Sequence, residues 1–487
     1  MRLFSRLTIL FAVLLLAGCA AAPQNPRELE FPPLEFRLPQ VEKIELDNGI
    51  RLYLKENHEL PLVSVTAMVG AGSIGDPESK TGLGGLFAAT LRTGGTASLD
   101  PDELEESLDR LAADLSVSTG TYATTLGLSL RREHLERGMA ILADILRRPV
   151  FGAERLELAR KEAIEGVRRQ DDDPSSVASR ALSRAIYGDH PLGRHPTVET
   201  LRAVSRSDLR DFHRRNFHPN NLWLAVSGDF DRKVLVSLLN RLFGDWPERD
   251  FDRQAIPPVE ADTGPVVLLA QKDLPQTTIL MGHLGIDKSN PDLHAVRVMN
   301  YILGGGGFNS RLMREVRSNR GLAYSVYSYF SVGRFLPGLF IAGSETKSET
   351  TMEVVELMRS ILRGIRETPV SGEELELARQ SLINSFVFAF DDTHGVVTQR
   401  MRLDFFGYPP DYLETYRDKV AAVSVADVQR VADKYLHPDR LKVVLVGDAD
   451  SFGADAHSLG LPVEEIRPET ENGDRPGETA VDEAGSI

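Results

Sequence analysis

The sequence predicts an α+β chain made of two tandem homologous α/β domains, and three observations carry that expectation. Val204-Ser205, Asp208, His218-Pro219, Leu222 and Gly228-Asp229 reappear as Val423-Ser424, Asp427, His437-Pro438, Leu441 and Gly447-Asp448, each displaced by 219 residues. Leu156-Glu157-Leu158-Ala159-Arg160 recurs as Leu375-Glu376-Leu377-Ala378-Arg379 at the same displacement of 219. Strand-length alternating stretches are interleaved with long stretches of helical period in both copies. A solenoid repeats every 20–45 residues or so, whereas an offset this long marks a duplicated domain. The copies are expected to span 41–245 and 265–452, joined by the Pro- and Asp-rich stretch 246–264.

The first residues differ from the rest. Arg2 and Arg6 precede the apolar run Leu7 to Ala17, and Leu16-Ala17-Gly18-Cys19 follows the order of a lipoprotein export signal. That run is too short to span a bilayer. Residues 1–19 therefore read as a signal peptide, with cleavage before Cys19 exposing the only cysteine of the chain for lipidation. Acyl chains on Cys19 would anchor the protein without a membrane-spanning helix. With Ala20 rather than Asp after it, the expected location is the bacterial envelope, at the periplasmic face of the outer membrane. Residues 20–40 carry five prolines and suit a tether, and a lone cysteine leaves no internal disulfide. A formal charge of −15, with no basic tract interleaved with aromatics, argues against nucleic acid as a partner.

Taken in order, Val41 to Leu54 alternates around Asp47-Asn48-Gly49 and reads as a hairpin; Leu62 to Val69 reads as a strand. Helical patterns cover Leu83 to Leu91, Asp102 to Ala113, Glu133 to Leu146, Ala153 to Arg169, Val177 to Tyr187 and Ser207 to Asn216. Strands are expected at Asp114 to Leu130 and Leu222 to Ser227. In the second copy, Gly304 to Tyr329 joins a glycine run, a helix over Ser310 to Arg320, a break at Gly321 and a strand from Leu322. Arg317 falls on the last helical turn, and alternation places Tyr324 on the apolar side of the strand. Their side chains could converge across the Gly321 corner, and both can donate to a carbonyl oxygen. The spacing alone is a weak signal and fits a surface Arg and a core Tyr better. The tail 453–487 is acidic, with eight acidic and two basic residues from Glu464 onward, and is expected to be disordered.

Two halves of this size, together with Leu303-Gly304-Gly305-Gly306-Gly307-Phe308-Asn309-Ser310-Arg311-Leu312 and the run on to Ser328, resemble the pitrilysin/insulinase family of zinc peptidases. Processing-peptidase subunits and the core subunits of the cytochrome bc complex look similar. The resemblance covers about residues 41 to 450. It implies two domains forming a half-shell, and in active members an H-x-x-E-H helix in the first domain. Two His at i and i+4 share a helix face and hold zinc, and the Glu acts as general base. The matching segment here is Gly82 to Thr90, where Gly85, Ala88 and Ala89 occupy the positions of the first His, the Glu and the second His. A further ligand would fall at Glu165 or Gly166, on a helix where Glu162 and Glu165 otherwise read as a solvated face.

No zinc is therefore expected in this chain. His190 and His195, and His213 and His218, lack acidic partners at ligand spacing; the repeat-equivalent His218 and His437, each before a proline, suit a structural role at a helix-to-strand corner, and no G-x-S-x-G elbow is present. Among the family's two-chain members, one chain brings the zinc helix and the other an Arg and a Tyr that bind the substrate backbone. The resemblance thus assigns Arg317 and Tyr324 to substrate binding and implies a homologous H-x-x-E-H subunit as partner, with a peptide as substrate. Segment 304–329 is expected to be the counterpart of 82–96. Two alternatives stand beside this reading: a structural or peptide-binding homologue like the bc core subunits, and an independent hydrolase.

Overall fold

Capping residues explain why the repeated positions recur. Ser205 and Ser424 each close a capping box with the Asp three residues on, Asp208 and Asp427. The repeated glycines sit where strands crowd: a Cβ on Gly228, at φ +117°, would lie 2.1 Å from the Leu62 carbonyl oxygen, and one on Gly447 would lie 2.8 Å from Thr277 Oγ1. The computed structural model describes residues 37–250, 256–260 and 264–466. Cys19, the signal peptide, most of the tether, parts of the linker and residues 467–487 lie outside them.

The first half opens with β1 (Glu42–Glu45) and β2 (Arg51–Glu56), antiparallel around the expected turn with Gly49 at φ 80°. There follow β3 (Leu62–Val69), α1 (Leu83–Thr93) and α2 (Pro101–Arg110). The single strand expected over Asp114 to Leu130 is instead a hairpin, β4 (Asp114–Thr119) and β5 (Thr124–Arg131), because the chain turns at Gly120 to Ala123. Next are α3 (Leu135–Arg147), α4 (Ala153–Arg169), α5 (Pro174–Tyr187), α6 (Val198–Ala203) and α7 (Arg206–Asn216). The half closes with β6 (Leu222–Gly228) and α8 (Arg232–Phe243).

The second half begins with β7 (Val266–Gln271), β8 (Gln276–Leu284) and α9 (Leu293–Asn300). It continues through β9 (Ala323–Ser331), β10 (Leu339–Lys347), α10 (Thr351–Glu367) and α11 (Gly372–Ser385). Helices α12 (Thr393–Phe405), α13 (Tyr412–Ala421) and α14 (Val425–Tyr435) lead to β11 (Lys442–Gly447). Part of the stretch expected to be a disordered tail is structured instead, since α15 (Ala449–Ala456) runs into it and β12 (Val463–Glu465) pairs with β7.

The sheets share one topology, β1-β2-β6-β3-β5-β4 and β12-β7-β11-β8-β10-β9. Five strands correspond one to one; the sixth place is filled by the first strand in one sheet and the last in the other. One face of each sheet carries its own core: Leu52, Val65, Phe87 and Leu142 in the first half, Val267, Met281, Val316 and Leu362 in the second. The other face of each is covered by a helix from the opposite half. Val177, Leu182 and Ile186 of α5 pack on Leu268, Leu280, Ile341 and Val444 of the second sheet. Val397, Met401 and Phe405 of α12 pack on Tyr53, Met68, Trp223 and Ala225 of the first.

Helices α5 and α12 are repeat equivalents, so the exchange is reciprocal. Gly282 lets α5 approach, since a Cβ there would stand 3.1 Å from Leu182 and 2.7 Å from the Phe340 carbonyl oxygen. Helix α12 has polar anchors as well: His394 bridges Thr66 Oγ1 at 2.8 Å and Ser227 Oγ at 2.9 Å, and the Tyr53 hydroxyl donates to Asp404 at 2.8 Å. Leu182 is 1% exposed, so Leu182→Ala should lower unfolding free energy by about 2–5 kcal/mol. Because α5 ties the halves together, urea unfolding of this variant should remain one transition with a lower midpoint; two separated transitions would show the halves unfolding independently.

Candidate functional site

The glycine run does its work by approach. Gly304 lies so close to β9 that a Cβ would meet the Ser328 backbone nitrogen at 2.5 Å. The expected helix after it is present but wound differently: Arg311 and Leu312 open it, and Met313–Asn319 forms a π-helix. The Ser310 hydroxyl donates to the Gly307 carbonyl at 2.7 Å. At the far end Gly321, at φ 65°, turns the chain into β9. The repeat assignment of this segment needs correction. The counterpart of α1 and the Gly82 to Thr96 stretch is α9 with the Tyr301–Gly305 turn that follows it, both lying after β8 as α1 lies after β3. The Arg317 helix corresponds to α2.

Arg317 and Tyr324 do converge. The Arg317 guanidinium donates to the Tyr324 carbonyl at 2.8 Å and lies 4.3 Å from the centre of the Tyr324 ring. The Phe308 ring, beyond the glycine run, is centred 4.7 Å from it. The cation thus contacts two rings, an arrangement that fixes a long side chain without using up its donors. Tyr324 is not on the apolar side of the strand; it is 81% exposed. A bulge is the cause: Ser344 pairs with Val326 and Thr346 with Ala323, so Tyr324 and Ser325 together oppose Glu345. The bulge turns Tyr324 outward while Ala323 and Val326 stay in the core. Its hydroxyl has no hydrogen-bond partner among the described residues.

Tyr324 borders a cavity of about 570 Å³ that Tyr327, Glu345 and Lys347 also line. Ser175 and Ser179, from the first turns of the exchanged helix α5, form its opposite wall. Burial pushes the Tyr327 hydroxyl above its ordinary pKa, helped by Tyr329 and Glu345. Phe308 escaped the sequence reading; its only signal was an aromatic residue directly after the glycines.

The helix bearing Arg317 is locked from behind. Arg311 binds Glu374 through two bonds of 2.8 Å, and Glu374 also accepts from the Ser371 N–H at 2.9 Å, so one carboxylate ties this helix to the cap of α11. The Arg311 hydrogen bonds hold the Glu374 carboxyl down to about 2.

The segment matching the zinc helix is well formed. The Asp76 carboxylate accepts from Gly82 N–H at 3.0 Å and Gly84 N–H at 3.2 Å, capping α1; burial nonetheless pushes its carboxyl up to about 6. Phe87 packs among Phe151, Phe212 and Phe217. Gly85 and Ala89 are exposed on one face, with nothing within 4 Å of a Cβ at Gly85, and Ala88 is buried at 4%. None of the three offers a donor atom, so the residues present do not fit zinc. Glu165 is exposed and pairs with Arg168 at 2.8 Å; Glu162 is exposed on the same helix.

The histidine pairs are used structurally. His213 bonds the Leu146 carbonyl at 2.9 Å, and burial pushes it down to about 4. His218 bonds the Arg215 carbonyl at 2.9 Å at the corner between α7 and β6. His190 accepts from the Leu192 N–H at 3.1 Å, and the His437 backbone N–H donates to His283 at 3.2 Å. Among the described residues no group of three or more His, Cys, Asp or Glu is gathered where a metal could sit.

A doubled α/β fold whose first half has the frame of a metallopeptidase helix without its ligands, and whose second half presents an Arg/Tyr donor pair, defines a zinc-peptidase homologue of the non-zinc type. The comparisons name the family. Residues 51–198 match the insulinase (peptidase family M16) model and residues 203–382 match the peptidase M16 inactive domain, and the chain belongs to this family. It is similar to an uncharacterized zinc protease of Mycobacterium leprae, 26% identical over 80% of this chain and 88% of that protein. It is equally similar, 26% over 77% of this chain and 86% of the other, to the non-peptidase homolog YmxG of Helicobacter pylori. Among solved structures, a peptidase M16 inactive domain from Pseudomonas fluorescens superposes with a TM-score of 0.76 at 25% identity, covering 84% of this chain and 98% of that one. The periplasmic protease PqqL of Escherichia coli shares the fold with a TM-score of 0.71 at 16% identity, over 88% of this chain and 48% of its own.

The Glu374 carboxyl is depressed in the folded state, so its stabilisation is present above the unfolded value near 4.5 and is lost as pH falls toward 2. Glu374→Gln should lower unfolding free energy by about 1–3 kcal/mol at pH 7, and the difference from wild type should narrow in urea titrations as pH drops below 4.5. A gap independent of pH would mean that the ion pair is not its source.

Proposed function

We propose that this chain is the zinc-free subunit of an M16-type peptidase, bringing Arg317 and Tyr324 to a site whose metal helix belongs to a homologous H-x-x-E-H partner. The observation that carries the reading is the half-buried Arg317, held against two exposed rings, beside the unpartnered Tyr324 hydroxyl. A guanidinium and a phenol held at one corner can both donate to a peptide carbonyl, and donors aimed at an oxyanion as it forms accelerate acyl cleavage. Domains 41–245 and 265–452 would form a half-shell that the partner closes around an extended peptide. The leader ending at Cys19 supports lipid anchoring in the envelope, at the periplasmic face of the outer membrane; the fold shared with a periplasmic protease agrees with that compartment. The relative named a non-peptidase homolog favours a second reading, a peptide-binding protein without a part in hydrolysis.

The mature chain alone should not cleave unstructured peptides, with or without chelator. Mixed with its H-x-x-E-H partner it should stimulate cleavage, and Arg317→Ala or Tyr324→Phe should lower kcat by about 10²–10³-fold with the complex intact by size-exclusion chromatography. Unchanged turnover in both variants would make the pair structural and favour the second reading.

A further inference from the structure

Along the outer face of the second sheet, a groove runs between α5 and β9 and ends in a cavity that Arg317 and Tyr324 do not use. Tyr327 and Tyr329 stand opposite Gly343 and Ile341 in the register, so their rings share the face on which Ile341 packs against α5. The two rings stack at 6.0 Å, and Gly343 makes room for them, since a Cβ there would lie 2.6 Å from Tyr327 Oη. At the N-terminal end of α5 the groove opens on the cavity beside Tyr324. At the C-terminal end Tyr187 and Tyr329 border a second cavity of about 620 Å³. A helix of this length covers about 21 Å, and β9 from Tyr324 to Ser331 covers about 23 Å. The two walls are matched, and an extended chain of roughly six or seven residues would run from one cavity to the other.

The second cavity has an unusual charge for so acidic a chain. Arg297 and Arg334 line it, and no Asp or Glu does. Both guanidiniums are held by phenols rather than carboxylates. Arg297 lies 5.5 Å from the centre of the Tyr416 ring, with the Tyr412 and Tyr416 phenols as its neighbours. Arg334 donates to the Tyr408 hydroxyl and lies 5.3 Å from the Phe406 ring. The Tyr408 and Tyr412 rings, 4.7 Å apart, join the two. Neither arginine has an ion-pair partner among the described residues. Arg297 is half-buried and Arg334 exposed, and a guanidinium whose neighbours are phenols rather than carboxylates keeps an uncompensated charge, which an entering anion would neutralise. Leu336 and Pro337 give the cavity an apolar wall.

We propose that this cavity receives the free carboxylate of a peptide lying in the groove, with an apolar or aromatic terminal side chain against the Leu336 wall. The assignment rests on the reading of the chain as peptide-binding and adds the end of the peptide that it selects. The test uses the mature chain without any partner. An N-acetylated heptapeptide ending in phenylalanine is titrated calorimetrically, once as the free acid and once as the C-terminal amide. The acid should bind at least tenfold more tightly than the amide. Arg334→Gln, at an exposed position that leaves the core untouched, should bring the ratio close to one while the melting temperature stays that of wild type. Equal affinities for acid and amide in the wild type, or no binding of either, would overturn the proposal. So would displacement of the acid by inorganic phosphate at equal concentration, which would mark a site for any small anion. This readout needs neither partner nor turnover. A chain that prefers the acid but never stimulates a zinc subunit keeps the pocket and loses the subunit role; the opposite pair of results removes the pocket alone.

Discussion

The reciprocal exchange of α5 and α12 is the constraint on which the rest of the structure depends. A six-stranded sheet with helices on one face leaves the other face apolar, and here those second faces carry Leu268, Leu280 and Val444 in one half and Met68, Trp223 and Ala225 in the other. Left open, each would be an aggregation surface. Covering each with a helix from the opposite half buries side chains such as Leu182, Ile186, Val397 and Met401, each contributing about 1.5–3 kcal/mol. The halves are then interlocked rather than merely adjacent. The same contact shapes the surface, because α5 is the wall beside the exposed tyrosine face of β9.

The sequence made the duplication legible because the repeated residues are those whose chemistry admits few substitutes. Ser205 and Ser424 cap helices, and Gly228 and Gly447 sit where a Cβ cannot. The same register misled at the other end of the domain. Arg51 faces Trp223 and Val266 faces Lys442, so the opening strands are displaced by less than the helices and strands that close each half. Loops absorb such differences freely. Extrapolating the helix displacement backward therefore set the Gly304 segment against α1, when it belongs one helix later.

Other failures have local causes. Alternation put Tyr324 in the core, and one bulge opposite Glu345 reversed that; a bulge leaves no compositional mark in an otherwise regular strand. Asp114 to Arg131 is alternating nearly throughout, and only Gly120 hinted at the turn that splits it. The apolar stripes of α5 and α12 were readable as helix faces, but a stripe does not say which sheet it covers. Nor could the hydrophobic period gather Arg297, Arg334 and the three tyrosines around them, since these come from two helices and two loops and meet only in the folded chain.

Exposure separates the two halves of the family site in physical terms. Gly85 and Ala89 face solvent, so the absence of imidazoles at these positions leaves the Phe87 cluster and the Asp76 cap of α1 intact. A packing role for the Arg317 and Tyr324 pair would require the opposite of what is seen. Tyr324 at 81% exposure buries too little to contribute to the core, and Phe308, at 65%, is nearly as open. A cation near two exposed rings would gain only about 0.5–1 kcal/mol at each contact. Yet the helix beneath them is tied down by a bidentate ion pair at Glu374, and Gly304 and Gly321 set the approach and the turn that bring the rings together. Rigid support beneath the exposed Tyr324 is what the proposed substrate-binding role requires, and it is more than packing alone calls for.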